Sequence, residues 1–168
     1  VSSDGVLHLV AREGDQLAET GSARFAAKST STPAVSGGKA FVCGADDQWY
    51  GTLSVIDLAS LAVERTVRGG KGEAQSSPLV SVQGDGTYAY FTCNGLPGGV
   101  YGYRLGDEAA YALFTPAADG QDFCFASVVA DGAGNLYYTN DAGRLFALKG
   151  LEGVQVTFDV QGGSFVPS

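Results

Sequence analysis

The fold is decided by two stretches of sequence, Ser31-Thr-Pro-Ala-Val-Ser-Gly-Gly-Lys-Ala-Phe-Val42 and Gly51-Thr-Leu-Ser-Val-Ile-Asp57. Leu53 and Val55 alternate with smaller or polar residues in the second stretch, and a period of two is typical of a β-strand with one face in a core. The first stretch predicts two further short strands, one at Ser31–Val35 and one at Ala40–Cys43.

The same pattern recurs along the chain. Segments similar to Gly51–Asp57 begin at Gly5, Gly99 and Gly143, and the four leading glycines are 46, 48 and 44 residues apart by subtraction. A glycine at this point permits the positive φ that a tight hairpin needs. A repeat of roughly 40–50 residues is the period expected of a four-stranded β-propeller blade.

Each repeat is predicted to contain an inner strand, two hairpin strands and an outer strand. We therefore predict an all-β fold, a β-propeller of four-stranded antiparallel blades in a single domain, 1–168. Three blades are full, at about 27–70, 71–118 and 119–160, and the one at about 1–26 is partial. The chain either closes a four-bladed ring or is part of a larger propeller. The inner strands are expected at Ser31–Val35, Ser76–Val80 and Ala126–Ala130, and the last outer strand at Val154–Phe158.

The repeat resembles the pyrroloquinoline-quinone-like (quinoprotein dehydrogenase-like) propeller family, whose blades carry a small-Pro strand, an aromatic strand and a Gly-x-Leu-x-Ala-Leu-Asp strand. The matching segments are Ser31–Val42 with Gly51–Asp57, and Asp131–Tyr138 with Gly143–Leu148. Quinone-dependent members also carry an adjacent cysteine pair and a tryptophan after the outer strand. This chain has no Cys-Cys, and its single tryptophan, Trp49, lies in a hairpin loop. The resemblance therefore implies the fold without the quinone site, and no cofactor is expected.

Composition and charge exclude several classes of function. The chain has 168 residues and a formal net charge of −8, so it repels phosphate backbones and no nucleic acid is expected as a partner. No run of about 18 apolar residues occurs, so no membrane span is predicted. The family resemblance implies a bacterial protein located outside the cell or at the cell surface.

The sequence carries no recognisable catalytic or metal-binding signature. His8 is the only histidine, and no nucleophile motif accompanies it, so it is expected to be structural or exposed. The segment Asp131–Asn135 is faintly similar to a calcium loop but lacks the acidic ligands, and we interpret it as a turn. We therefore expect no catalytic residues, no bound metal and no enzyme activity.

Function in such folds lies in loops held by a rigid scaffold. The most suggestive loop is 45–50, because Trp49 and Tyr50 at a loop tip beside two carboxylates suit a protein anchor or a carbohydrate platform. The alternative is that the Trp49 ring folds back onto the blade edge. The candidate ligand- or partner-binding residues are Asp46, Asp47, Trp49, Tyr50, Asp122, Asn140 and Asp141.

The sequence is consistent with three functions. The first is a non-catalytic binding or scaffolding propeller of a secreted or surface protein, with a protein or carbohydrate ligand. The second is a periplasmic assembly scaffold that resembles the propeller lipoprotein of outer-membrane protein insertion. The third is a fragment of a quinoprotein-like enzyme, against which the absent cysteine pair counts.

Two expectations concern pairing within and between chains. Cys93 ends one predicted strand and Cys124 begins the next inner strand, so a Cys93–Cys124 disulfide with Cys43 left free is one arrangement, and buried free thiols are the other. The incomplete first blade would expose backbone groups and an apolar face. We therefore expect a homodimer or residence in a longer chain, unless the chain closes its own small ring.

Overall fold

The computed structural model describes residues 1–149, and this part of the chain is all-β. It contains thirteen strands in four antiparallel sheets, a single 3-10 turn at Ala118–Gly120 and no α-helix. Sheet 1 contains β1 (Val6–Glu13) and β2 (Gln16–Arg24); sheet 2 contains β3 (Ala34–Ser36), β4 (Lys39–Ala45), β5 (Tyr50–Asp57) and β6 (Val63–Lys71); sheet 3 contains β7 (Leu79–Gln83), β8 (Gly86–Thr92), β9 (Val100–Arg104) and β10 (Tyr111–Phe114); sheet 4 contains β11 (Val129–Ala130), β12 (Leu136–Asn140) and β13 (Arg144–Leu148).

The predicted antiparallel order is confirmed in sheets 2 and 3, where four consecutive strands pair in sequence order. Sheet 1 has two strands, as expected, and sheet 4 has three within the described residues. The strand predicted at Val154–Phe158 and the outer boundary of the last blade lie outside residues 1–149. The sheets of these residues form no closed barrel or ring, so the division into propeller blades stays a prediction.

The three inner strands begin three residues later than predicted. In the first two, a serine hydroxyl takes the place of the first backbone bond to the neighbouring strand. Ser31 Oγ accepts a hydrogen bond from Cys43 N at 3.2 Å, and Ser76 Oγ accepts one from Thr92 N at 3.1 Å. A proline follows each of these serines two residues later and has no N–H to donate, so regular pairing starts only beyond it.

The sheets pack face to face in sequence order. Alternation along β4 divides its side chains, so that Ala40 and Val42 contact sheet 1 whereas Phe41 and Cys43 contact sheet 3. The apolar clusters lie around Leu7 and Ile56 between sheets 1 and 2, around Phe41 and Phe91 between sheets 2 and 3, and around Val100 and Tyr138 between sheets 3 and 4.

The four leading glycines of the repeat have two different roles. The predicted positive φ is present at Gly5 (77°) and Gly143 (70°), but the prediction was wrong at Gly51 and Gly99. At Gly51 the requirement is space, because an added Cβ would lie 2.5 Å from Cys93 Sγ of sheet 3. Glycine is therefore needed there for the close approach of two sheets rather than for a turn.

Of the two arrangements left open for the cysteines, the structure has the one with buried free thiols, at Cys43, Cys93 and Cys124. The sulfur atoms of Cys93 and Cys124 form no disulfide and belong to different junctions. Cys93 Sγ lies against Gly69 in the junction of sheets 2 and 3, whereas Cys124 Sγ lies 3.1 Å from Thr139 O within sheet 4. Burial raises the pKa of Cys43 well above its ordinary value and that of Cys93 to about 12. These thiols stay protonated at neutral pH.

Candidate functional site

The loop between β4 and β5 is organised by one carboxylate. Asp46 Oδ1 accepts hydrogen bonds from Gln48 N at 2.9 Å and Tyr50 N at 3.0 Å, and Asp46 O accepts from Trp49 N at 3.0 Å. Burial alone would raise the pKa of Asp46, but the backbone donors and the guanidinium of Arg68 outweigh it and lower that pKa. A charged aspartate therefore fixes the conformation of the loop.

Trp49 occupies a backbone position that the other hairpins give to glycine. Its φ is +61°, and the corresponding residues of sheets 3 and 4 are Gly98 (67°) and Gly143 (70°). Each of the three donates its N–H to the carbonyl three residues earlier. A positive φ costs a residue with a Cβ about 1–2 kcal/mol. The Trp49 side chain is nonetheless 57% exposed, so the indole is not buried against the sheet.

Three cations lie over the two aromatic rings of this loop. Lys28 Nζ is 5.1 Å from the centroid of the Trp49 ring. Lys71 Nζ is 3.9 Å and Arg68 Cζ is 4.9 Å from the centroid of the Tyr50 ring. The cationic groups help to hold the rings in place, because the face of an aromatic ring attracts positive charge.

Acidic residues position two of these cations. Lys28 Nζ lies 3.0 Å from Oε2 of Glu73, a carboxylate that is only 3% exposed. Arg68 Nε lies 2.6 Å from Asp46 Oδ2, although this pair does not have the geometry of a hydrogen bond. Ion pairs and cation–π contacts thus join the loop to Lys28, which precedes sheet 2, and to Glu73, which follows sheet 2.

An open cleft of about 500 Å³ lies beside this loop, between sheets 1 and 2. Its size falls within the range of roughly 300–1,000 Å³ that is usual for small-molecule sites. The lining residues are Arg24, Phe25, Ala26, Ala27, Ala45, Asp46, Asp47, Thr52 and Thr66. The sequence predicted Asp46 and Asp47 for the site, but it did not predict the lining residues 24–27 at the end of sheet 1 and just after it, because they come close only through the packing of two sheets.

The other three predicted site residues lie at a different junction. Asn140 is buried, and its Nδ2 donates to Gly120 O at 2.8 Å. Asp141 is exposed and its N–H donates to Phe123 O, while Asp122 Oδ1 accepts from Phe123 N at 2.9 Å. These bonds hold the segment between sheets 3 and 4 in place. The structure therefore divides the predicted set into the loop at 46–50 and a separate group at sheet 4.

His8 has partners that the sequence did not reveal. Its Nε2 is 3.0 Å from Ser2 Oγ and its Nδ1 is 3.0 Å from Glu19 Oε2, the order of groups found in hydrolytic triads. The serine is unsuited to attack, because its hydroxyl donates to Asp4 Oδ1 at 2.5 Å rather than to the imidazole, and its N–H donates to Val6 O. We interpret the group as a set of hydrogen bonds that holds the N-terminal residues against sheet 1.

Residues 1–149 contain neither a metal-binding cluster nor a membrane-spanning helix. Within that range, no three His, Cys, Asp or Glu side chains converge in a way that would hold a metal ion. Nor does any helix of those residues have the length and apolar character needed to cross a membrane. Comparison of the chain with protein-family models and with curated proteins gives no match.

Proposed function

We propose that the chain is a series of β-propeller blades of the pyrroloquinoline-quinone-like type, without a quinone, that serves as a non-catalytic binding or scaffolding module of a secreted or cell-surface protein. The support for the blades is the sequence repeat together with four consecutive antiparallel sheets that pack face to face. Sheets arranged in this way leave their loops at the ends of the strands, which is where such modules bind their partners.

Trp49 is the observation that supports binding most directly. It has the positive φ that glycine has in the equivalent hairpins, and its ring is more than half exposed. The side chain therefore contributes little to packing within residues 1–149, while its backbone conformation is unfavourable. Strain of this kind is characteristic of functional positions, and exposed tryptophan is enriched at binding hot spots. The loop at 46–50 is accordingly the partner-binding surface in this proposal.

The proposal includes contact between sheet 4 and a further sheet, supplied by a second copy or by a longer chain. Val129 and Leu145 project from the face of sheet 4 that is turned away from sheet 3, and both are exposed. The outward face of sheet 1 is mixed, because it carries His8 and Glu19 beside the exposed Val10, and it is therefore a weaker match for an apolar face. Two sheet 4 faces complement each other better, and a two-fold dimer would pair them.

Substitution of Trp49 tests the binding surface. The wild-type chain and the variants Trp49→Gly and Phe125→Ala would be applied to immobilised peptides and oligosaccharides. Phe125 is the matched control, because it is 55% exposed and lies outside the loop. We expect Trp49→Gly alone to lose retention while it gains about 1 kcal/mol of stability, since glycine relieves the unfavourable φ. Unchanged retention of Trp49→Gly would contradict the proposal.

A further inference from the structure

Thr52 marks the floor of the cleft between sheets 1 and 2. Alternation along β5 places its side chain on the same side as Ser54, whose hydroxyl donates to Phe25 O at 3.2 Å, so both hydroxyls point toward sheet 1. Ser54 is satisfied by that bond and by Thr66 Oγ1 at 2.8 Å. Thr52 Oγ1 is buried and has no hydrogen-bond partner within residues 1–149.

An unpaired buried hydroxyl is unfavourable, so its presence in this cleft needs an explanation. Replacement by valine, which has the same shape, would remove the unpaired group. Asp46 Oδ2 at the same cleft is already paired with Arg68 Nε at 2.6 Å, so the unsatisfied group there is the Thr52 hydroxyl. It borders an open space, where a ligand hydroxyl would reach it.

The charges around the cleft and its adjoining loop cancel, although the chain as a whole carries −8. The basic residues are Arg24, Lys28, Arg68 and Lys71, and the acidic residues are Asp4, Asp46, Asp47 and Glu73. A surface with a formal charge near zero does not select an anionic or a cationic ligand by long-range attraction. It presents instead a dense set of donors and acceptors at short range.

The lining favours a hydroxylated ligand over a peptide. Carboxylate, guanidinium and hydroxyl groups form pairs with adjacent hydroxyls of a sugar ring. The apolar part of the lining consists of three alanines and of Phe25, whose side chain is buried in the cluster between sheets 1 and 2. The cleft therefore offers little space for the large apolar anchors by which peptides bind. The exposed Trp49 ring adjoins the cleft through Asp46 and Lys28, and its face would contact the C–H face of a sugar.

We infer that this cleft binds a neutral carbohydrate, whose hydroxyls pair with Thr52, Asp47 and Arg24 while Trp49 contacts its ring at the rim. The inference rests on the proposed function and gives its ligand class. Thr52 is then a residue that is unfavourable in the free protein and becomes satisfied in the complex. Binding energy of this kind discriminates strongly, because a ligand without the matching hydroxyl leaves the protein group unpaired.

The test uses four proteins on one array that carries neutral gluco-, galacto-, manno- and N-acetylglucosamine oligosaccharides, uronate oligosaccharides and peptides. The proteins are the wild type and its variants Thr52→Val, Thr92→Val and Trp49→Gly. Thr92 is the matched control, because it is equally buried but its Oγ1 donates to Ala126 O at 2.7 Å. Melting temperatures are measured on the same samples, and the intrinsic fluorescence of the single tryptophan reports contact at the rim.

We expect Thr52→Val to bind a neutral oligosaccharide about tenfold more weakly while its melting temperature rises by roughly 2–4 °C. Thr92→Val should show the opposite, a lower melting temperature with unchanged binding. Substitution of a threonine with a purely structural role would not weaken binding and at the same time raise the melting temperature. The opposite effects of the two variants therefore identify Thr52 as a ligand-binding residue.

The remaining outcomes separate the inference from the proposed function. No retention on any neutral oligosaccharide overturns the inference. Unchanged binding by Thr52→Val also overturns it, while loss of binding by Trp49→Gly in the same experiment leaves the proposed function standing. Retention on peptides alone replaces the carbohydrate by a peptide and again leaves the proposed function standing. If the wild type is retained on nothing, both fail.

Discussion

Sheets 2 and 3 differ from sheet 4 in what covers the face that each turns toward the following part of the chain. Leu53, Val100 and Leu145 each lie on the third strand of their sheet, β5, β9 and β13, and on the face that is turned toward the following part of the chain. Leu53 and Val100 are 0% exposed, whereas Leu145 is 70% exposed. All three are apolar, so the difference lies in the neighbouring sheet and not in the residue.

Burial of an apolar residue in this molecule therefore depends on whether a neighbouring sheet covers its face. Each sheet contacts the sheets before and after it in sequence, as the three apolar clusters show. Stability in such arrays is approximately a sum of the repeats and their nearest-neighbour interfaces. Sheet 4 therefore retains the residues of a junction on a face that sheets of residues 1–149 leave exposed. That face is either a free surface or one side of a contact with a further sheet, and the two arrangements have different consequences for substitutions.

The largest expected effect comes from the closed junction. Leu53→Ala should lower the free energy of unfolding by about 2–5 kcal/mol, because it leaves a cavity among fully buried side chains. Leu145→Ala should change it by about 0.5 kcal/mol or less in dilute solution. Denaturant unfolding at submicromolar concentration would measure both. An equal cost at the two positions would mean that sheet 4 is covered even in the dilute protein, and the comparison would not hold.

Association should depend on the open face. At micromolar concentration we expect the wild type to sediment as a dimer, and Leu145→Asp to weaken association at least about tenfold, because a carboxylate would be placed in an apolar contact. Leu17→Asp is the control, since Leu17 is also highly exposed but lies on sheet 1. A wild type that stays monomeric would leave a longer chain as the remaining source of the covering sheet. Dissociation by both variants would contradict the assignment to sheet 4.

The sequence was sufficient to predict an all-β fold and the antiparallel strand order of sheets 2 and 3, because alternation and turn residues are local signals. It did not predict the Thr52 cleft or the Ser2–His8–Glu19 group, since their members are brought together by packing and by hairpin register. Trp49 was singled out as a loop aromatic, but its positive φ was assigned to Gly51 two residues later. An offset of two residues in a hairpin changes which side chain carries the strain, and composition does not resolve such an offset.

Cys93 and Cys124 lie in two different junctions, and we expect their accessibility to a thiol reagent to differ. Burial raises the pKa of Cys93 to about 12, and burial is also the main cause that raises the pKa of Cys124. Cys93 lies between two four-stranded sheets, whereas Cys124 lies against sheet 4, of which residues 1–149 cover only one face. Local opening should therefore expose Cys124 first. Labelling with a thiol reagent followed by peptide mass analysis would give the order, and faster labelling of Cys93 would reverse the proposed difference in junction stability.

The smallest expected effect is on the stability of the turn between β11 and β12 in sheet 4. Asp131 accepts hydrogen bonds from the backbone N–H of Ala133, the amide group and N–H of Asn135, and the hydroxyl of Tyr137. The hydrogen bonds from Asn135 and Tyr137 lower the pKa of Asp131 from 3.8 to about 2. Because the folded pKa is depressed, the stabilisation is fully present above pH 3.8 and is lost as the pH falls toward 2.

Acidification through this window should therefore loosen the β11–β12 turn. We expect amide hydrogen exchange at Asn135 and Tyr137 to accelerate between pH 4 and pH 2, after correction for intrinsic rates. In Asp131→Asn these amides should exchange faster already at pH 7 and lose the acid-dependent step, because the neutral side chain cannot titrate. Asp85 provides the matched control, since it lies in the equivalent turn of sheet 3, where it accepts from Tyr88 Oη at 2.7 Å. Asp85→Asn should leave exchange in sheet 4 unchanged, and an acid step that persists in Asp131→Asn would place its origin in another carboxylate.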